Sequence, residues 1–373
     1  MFKYYYIINI TYIIMTTKFN EYNDKGLTGL ANLGNTCYLN SCLQTLSHTY
    51  ELNNLLKNLN FDNLKEYSKN LDGLNILIEW KNLLDLMWSK NCTIAPHGFV
   101  KAIHAYSVKK NNSLFCNFSQ NDLQEFLMFL FDAFHLGISK QNEIYELYIN
   151  NMNNNKITDI NTHTYNEFNY FKMMNDNFKN EYSELVDLFY GACYSEITCI
   201  ETNKVLAKRF QPFFILNLSI PEKNNISLYD CFEYHLKYEE LKDDNAWLNE
   251  KTNSKVNVKK RDVLWKLPDI FIIHLKRWNY KGQKNQSIIQ FDLNCDFSKY
   301  ICNSNCNNNN NNNNYELYSI SNHHGNSMGG HYTAFVKNAN NKWYHFNDTN
   351  VAEVNQQNLV TNQAYCLFYR KQY

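Results

Sequence analysis

The chain has 373 residues, 44% of them hydrophobic, enough to bury one large core or two smaller ones. Lys plus Arg and Asp plus Glu each total 36, so the formal net charge is zero. That excludes a global basic field that would draw in nucleic acid, and an acidic tail. The cysteines number eleven, an odd count without regular spacing, which fits a reducing compartment better than a disulfide framework.

From the N-terminus, Met1 to Met15 is apolar and tyrosine-rich. It is shorter than the roughly 20 residues needed to span a bilayer, and no small-residue cleavage site follows it. An added edge strand, or an upstream start with Met15 as the working initiator, both fit. No other segment has transmembrane character, so a soluble protein is expected. Asn20 to His48 reads as a loop followed by a helix, with Leu39, Cys42, Leu43 and Leu46 at i, i+3, i+4 and i+7. Leu74 to Trp88 has helical spacing. Ser119 to His135 is the clearest helix, with Leu123, Phe126, Leu127, Leu130, Phe131 and Phe134 on one stripe. Asn150 to Asn180 reads as a polar insertion carrying a short helix. From Leu188 onward the texture is β, with strands at Phe213 to Leu218 and Ile270 to Leu275. Asn307 to Asn314 is an unbroken Asn run, expected as a solvated, mobile loop. A helical part followed by a strand-rich part indicates an α+β fold with a cleft between the halves.

Two segments carry chemistry. Gly29 to Ser41 is a polar, glycine-bearing loop that runs into Cys37 at the start of a helix. Helix-end N–H groups stabilise a thiolate and lower the thiol pKa. Taken alone, Cys37 reads as a buried thiol, since free cysteine is among the most buried residue types. The second segment is Met328 to Val336, a turn at Lys337 to Asn341, and Lys342 to Asp348, which together read as a β-hairpin. If it is symmetric about Ala339, His331 lies opposite Asn347. Alone, His331 reads as a hydrogen-bonded strand histidine. Beside a carboxamide, with Gly329 and Gly330 before it and a cysteine at a helix start, it becomes the base of a Cys–His–Asn triad. Asp348, at the strand end, is within reach of the same site. Asn32, five residues before Cys37, is either a turn-former or an oxyanion donor worth roughly 3 kcal/mol.

Four ordered motifs, running from about Lys25 to the C-terminus, resemble the ubiquitin-specific protease family of deubiquitinating enzymes. They are Gly29 to Leu46 around Cys37; Gln120-Asn121-Asp122-Leu123-Gln124-Glu125-Phe126-Leu127; Leu267 to Trp278, where the family usually ends in Phe; and Tyr315 to Gly325 with Gly329-Gly330-His331-Tyr332, ending in Trp343 to Val351. The resemblance implies a papain-like cysteine protease fold with thumb, palm and fingers. It implies a catalytic domain over 25–373 after an N-terminal extension, 1–24, read as disordered or mis-started. The fingers are expected at roughly 190–265 and the Asn-rich loop at 303–314.

By the same resemblance Cys37 is the nucleophile, His331 the base, Asn347 the third triad member, Asp348 an assisting acid and Asn32 the oxyanion donor. Asp122 and Glu125 match positions that bind arginines of the ubiquitin tail; their alternative is a solvated helix face beside the N-terminus. Gln120, Gly330 and Tyr332 complete the candidate substrate-binding set. The implied activity is thiol-dependent hydrolysis of the bond after the C-terminal glycine of ubiquitin, through a thioester. Expected partners are ubiquitin and ubiquitinated proteins, with no nucleic acid, no membrane and a monomeric state in the cytoplasm or nucleus. A silent ubiquitin-binding module and a protease for a ubiquitin-like modifier are the rivals. No cofactor is implied. Family members often carry two Cys-x-x-Cys pairs in the fingers, but Cys199-Ile200-Glu201-Thr202 lacks its second cysteine and Trp247 to Asn253 has none. A tetrahedral zinc site needs four ligands, so no structural zinc is expected.

Overall fold

A computed structural model of the protein describes residues 19–152, 159–250, 252–302, 313–326 and 329–373. Met1 to Met15 and residues 307–312 of the Asn run lie outside the described residues. The helical part contains α1 (Cys37–Ser47), α2 (Leu71–Ser89), α3 (His97–Lys109) and α4 (Leu123–Ile138). Helix α2 starts three residues before Leu74 because Asn70 caps it, its Oδ1 accepting from Gly73 N at 2.8 Å. In α4 the apolar stripe is buried along its whole length. This helix begins at Leu123 rather than Ser119, since Asp122 is its N-cap and accepts from Gln124 N and Glu125 N at 2.8 and 3.2 Å. Helices α2 and α4 cross where a Cβ on Gly73 would lie 2.5 Å from Ala133 O, and one on Gly137 2.5 Å from Leu74 N. Only glycine permits that approach.

The Asn-rich insertion holds more structure than its composition suggests. Its helix is the sixteen-residue α6 (His163–Phe178), and α5 (Ile144–Met152), which precedes it, ends just inside its start. Tyr170, Met173, Met174 and Phe178 of α6 form a buried cluster with Tyr194 and Trp265. Those two partners belong to a four-stranded sheet built from β1 (Gly191–Cys199), β2 (Val205–Phe213), β4 (Glu239–Leu241) and β5 (Val258–Lys266), in the order β2-β1-β5-β4. This sheet lies within the stretch expected to form the fingers.

The main sheet contains β3 (Ile215–Ser219), β6 (Ile270–Lys276), β7 (Asn314–Asn326), β8 (Gly329–Lys337), β9 (Trp343–Asn347), β10 (Asn350–Val354) and β11 (Ala364–Lys371). Its order is β10-β9-β8-β7-β11-β6-β3, with Asn294–Asp296 pairing on β7. Asn314, expected in the mobile loop, instead opens β7 opposite Asp296. Strand β6 is buried at Ile270, Phe271, Ile272, Ile273 and Leu275, as an apolar run covered on both faces should be. Helix and sheet meet at Arg370, which is 7% exposed. Its guanidinium donates to His48 O at 2.8 Å, lies 3.4 Å from Glu51, and sits over the Tyr50 and Tyr318 rings. Residues 19–22 also pack on this joint: Tyr22 is buried and stacks on Tyr50 at 4.4 Å. The described body therefore extends ahead of residue 25, into the stretch read as an extension.

Candidate active site

Cys37 is the first residue of α1 and only 4% exposed. The loop before it is folded around one side chain. Asn32 Oδ1 accepts from Gly34 N and Thr36 N, both at 3.0 Å, and Leu33 N donates to Thr36 Oγ1 at 2.9 Å. Gly34 has φ +107°, a conformation that favours glycine. The turn therefore fixes Asn32, and Asn32 fixes the entrance to the helix.

The helix expectation for the Cys37 thiol is reversed in sign. Burial pushes its pKa above the ordinary thiol value and the charge of Asp348 adds to that. Backbone N–H groups of Tyr332 and Tyr38 pull it down, but by less. Desolvating a thiolate outweighs the helix end here, so the resting thiol is protonated at neutral pH. Alkylation of Cys37 by iodoacetamide is accordingly expected to keep accelerating beyond pH about 8.5, where an ordinary thiol is half ionised. A pH–rate midpoint below 7 in the free protein would contradict this.

His331 lies in β8 and Asn347 at the end of β9. His331 Nε2 and Asn347 Oδ1 are 2.7 Å apart. The oxygen can only accept, so Nε2 carries the proton and Nδ1 is left as the basic nitrogen. The hairpin register differs from the expected one. Ala334 pairs with Phe346 and Lys337 with Trp343, which centres the turn on Asn340 rather than Ala339. Continued one step, that register sets Asn347 against Thr333 and makes the His331 contact diagonal. Helix α1 is seated on this strand through Ser41 Oγ, which donates to Thr333 O at 2.9 Å.

Asp348 leaves the strand with φ +49° and turns toward α1. Its two carboxylate oxygens each hold an amide: Oδ2 accepts from Asn32 Nδ2 at 3.0 Å and Oδ1 from Asn40 Nδ2 at 2.8 Å. Its backbone oxygen accepts from Leu30 N at 2.9 Å. Next to it the chains touch backbone to backbone, since a Cβ on Gly29 would lie 2.3 Å from Thr349 O. Gly29→Ala must push the Asp348 turn away from the Cys37 loop. Overpacking of this kind costs roughly 1–3 kcal/mol, and calorimetry should show a lowered Tm; an unchanged Tm would argue against the contact.

The cleft beside Cys37 measures about 300 Å³ and is lined from both halves, by Tyr38, Gln120 and Asp122 on one side and Trp278, His323 and Tyr332 on the other. Gln120 Oε1 accepts from Gly330 N at 3.2 Å. Asp122, expected to face a basic ligand, is engaged inside the protein: besides capping α4, its Oδ2 accepts from Tyr332 OH at 3.2 Å and Tyr365 OH at 2.6 Å. Glu125 is exposed, and burial of its surroundings and the Asp122 charge raise its pKa. Sequence reasoning did not single out Asn40, His323 or Tyr365. His323 sits inside a quoted motif, whereas Tyr365 lies 243 residues from its partner Asp122 and gives no local signal. Among the described residues, no group of three or more His, Cys, Asp or Glu side chains is placed to hold a metal ion, and no helix is long and apolar enough to cross a membrane.

Residues 28–369 match the family model described as ubiquitin carboxyl-terminal hydrolase. The chain is 31% identical to ubiquitin carboxyl-terminal hydrolase Usp2 of Drosophila melanogaster, over 93% of this chain and 35% of that protein. It is 30% identical to ubiquitin carboxyl-terminal hydrolase 2 of Bos taurus, over 94% of this chain and 56% of that one. With the Gallus gallus protein of the same description the identity is 32%, over 92% and 93%. The chain thus spans about a third of the fly relative and just over half of the bovine one. Among solved structures, a chain of the SAGA DUB module bound to monoubiquitin superposes with a TM-score of 0.68 at 22% identity, covering 98% of this chain and 74% of that one. A chain of the SAGA Ubp8 DUB module bound to ubiquitin aldehyde gives 0.66 at 24%, covering 96% and 73%. These two share the α+β fold. By its family match and its relatives, the chain belongs to the ubiquitin carboxyl-terminal hydrolase family, as a member of its ubiquitin-specific protease group.

Proposed function

We propose that this protein is a thiol-dependent deubiquitinase that hydrolyses the isopeptide or peptide bond after the C-terminal glycine of ubiquitin. The observation that carries the reading is the pairing of a buried cysteine at a helix start with a strand whose histidine is oriented by an asparagine at 2.7 Å. In this reading His331 Nδ1 takes the Cys37 proton as the sulfur attacks the carbonyl carbon of the terminal glycine. The charge that develops on the carbonyl oxygen is met by the second N–H of Asn32 Nδ2, the first being given to Asp348, and by backbone N–H groups at the start of α1. The imidazolium then protonates the departing lysine amine. A thioester remains, and water activated by His331 hydrolyses it, restoring the thiol and releasing the carboxylate. Glu125, exposed at the start of α4, is the carboxylate available to a basic peptide tail.

The test is a ubiquitin whose C-terminus carries propargylamide, which traps a cysteine nucleophile. An adduct of one ubiquitin per chain, mapped to Cys37 by mass spectrometry, is expected. An adduct only with a ubiquitin-like modifier probe would move the substrate class. Reaction with neither probe, while ubiquitin still binds, would leave a silent binding module.

A further inference from the structure

We propose that Gln120, Asn121 and Asp122 are a clamp that positions the reacting strand β8 against Cys37, with Asp122 its chief positioning residue. Each of these three consecutive residues touches a neighbour of a reacting residue. Gln120 Oε1 accepts from Gly330 N at 3.2 Å, and Gly330 precedes His331. Asn121 Nδ2 donates to Tyr38 OH at 3.3 Å, and Tyr38 follows Cys37. Asp122 Oδ2 accepts from Tyr332 OH at 3.2 Å, and Tyr332 follows His331. The backbone N–H of that same tyrosine is among the groups that lower the Cys37 thiol pKa. Tyr365 OH, at 2.6 Å, ties the carboxylate to β11 as well.

The capacity of Asp122 is used from within. Its Oδ1 serves two N–H groups of α4 and its Oδ2 two hydroxyls. A carboxylate offers about four lone-pair sites, so little is left for a guanidinium. Tyr332 is 8% exposed and Tyr365 2%. Burial and the nearby Asp122 charge push both hydroxyl pKa values far up, so they stay donors at any working pH. The carboxylate also sits at the N-terminus of α4, where the helix favours negative charge. Strand β8 is thereby fixed to α4, and α1 to the same segment, on either side of the cleft.

The decisive variant is Tyr332→Phe with Tyr365→Phe, which removes two hydroxyls and keeps both rings and the helix cap. Tyr365→Phe alone, on a strand that carries no reacting residue, serves if the double variant does not fold. Two readouts are needed, because the first rests on the deubiquitinase reading and the second does not. With a C-terminal fluorogenic ubiquitin substrate, kcat is expected to fall by at least about tenfold for the double variant, which loses two charge-assisted hydrogen bonds, with KM within about twofold. With iodoacetamide, the pH–rate midpoint of Cys37 is expected to move up, since the N–H of a loosened Tyr332 no longer supports the thiolate. If wild type turns ubiquitin over and the variants match it in kcat and in the alkylation profile, the clamp is overturned; a change in KM alone overturns it too and makes this segment a substrate contact. If wild type does not process ubiquitin but the alkylation profile still shifts, the clamp stands and the substrate assignment falls.

Discussion

Replacing Cys37 with alanine is expected to abolish turnover of a fluorogenic ubiquitin substrate, with His331→Ala falling by a comparable factor. In hydrolases that use a nucleophile and base as a unit, either deletion alone costs about 10⁶-fold in kcat. The geometry gives a reason to expect the same coupling here. The thiol is pushed toward its protonated form by burial and by Asp348, so it becomes nucleophilic only as the imidazole takes its proton. Without His331 the sulfur is present but not ionised; without Cys37 the base has nothing to activate. The Cys37→Ala/His331→Ala double variant should therefore be no slower than the worse single one, within error. Ubiquitin affinity, measured by titration calorimetry, should survive Cys37→Ala, because alanine adds no bulk to the cleft. Additive losses would mean that the two residues act in separate steps, and lost binding would mean that Cys37 holds the fold of the cleft.

The local structure around this site is legible in the sequence. The Asn32 to Thr36 turn, the Cys37 helix start and the His331 hairpin are local signals, each written in a short stretch of chain. Even the error in the hairpin was benign. Moving the turn centre by one residue shifts the partner by two, and a shift of two keeps a side chain on the same face of the sheet. His331 and Asn347 thus still meet, on the diagonal. Asn341, with φ +64°, takes the left-handed turn position that sets the true centre. The longer α6 was hidden by composition: it is rich in Asn, of which Asn166 is itself buried, while Tyr170, Met173, Met174 and Phe178 form a helical stripe that shows only once there is a sheet to pack against.

What was not legible depends on distance along the chain. Asp122 read as a carboxylate facing a basic peptide tail, because nothing near it in the chain announces Tyr332 or Tyr365, 210 and 243 residues away. The Cys37 pKa is a similar case. A helix end is visible in sequence, whereas the amount of protein that closes over the sulfur is a property of the assembled cleft. Local rules find the turn, the helix start and the hairpin, and burial decides the sign of the electrostatics.

Asp348→Ala should produce two effects of opposite sense, and that opposition makes it informative. In wild type the carboxylate holds Asn32 Nδ2 at 3.0 Å and Asn40 Nδ2 at 2.8 Å. Without it the Asn32 amide is anchored only through its oxygen and is free to turn away from the position of the developing oxyanion. A lost oxyanion donor costs about 10²–10³ in kcat, so a fall of that size is expected with little change in KM. The negative charge of Asp348 is also one of the causes that raise the Cys37 pKa. Removing it should move the iodoacetamide midpoint of Cys37 down, so that more thiolate is present at neutral pH. The variant is then a better nucleophile toward a small alkylating agent and a far worse catalyst toward ubiquitin. If thiol activation were what Asp348 contributes, both rates would fall together. If kcat is unchanged, Asn32 is held well enough by its own turn, and the carboxylate serves only to join the Asp348 turn to α1; calorimetry would then show a lowered Tm without a kinetic defect.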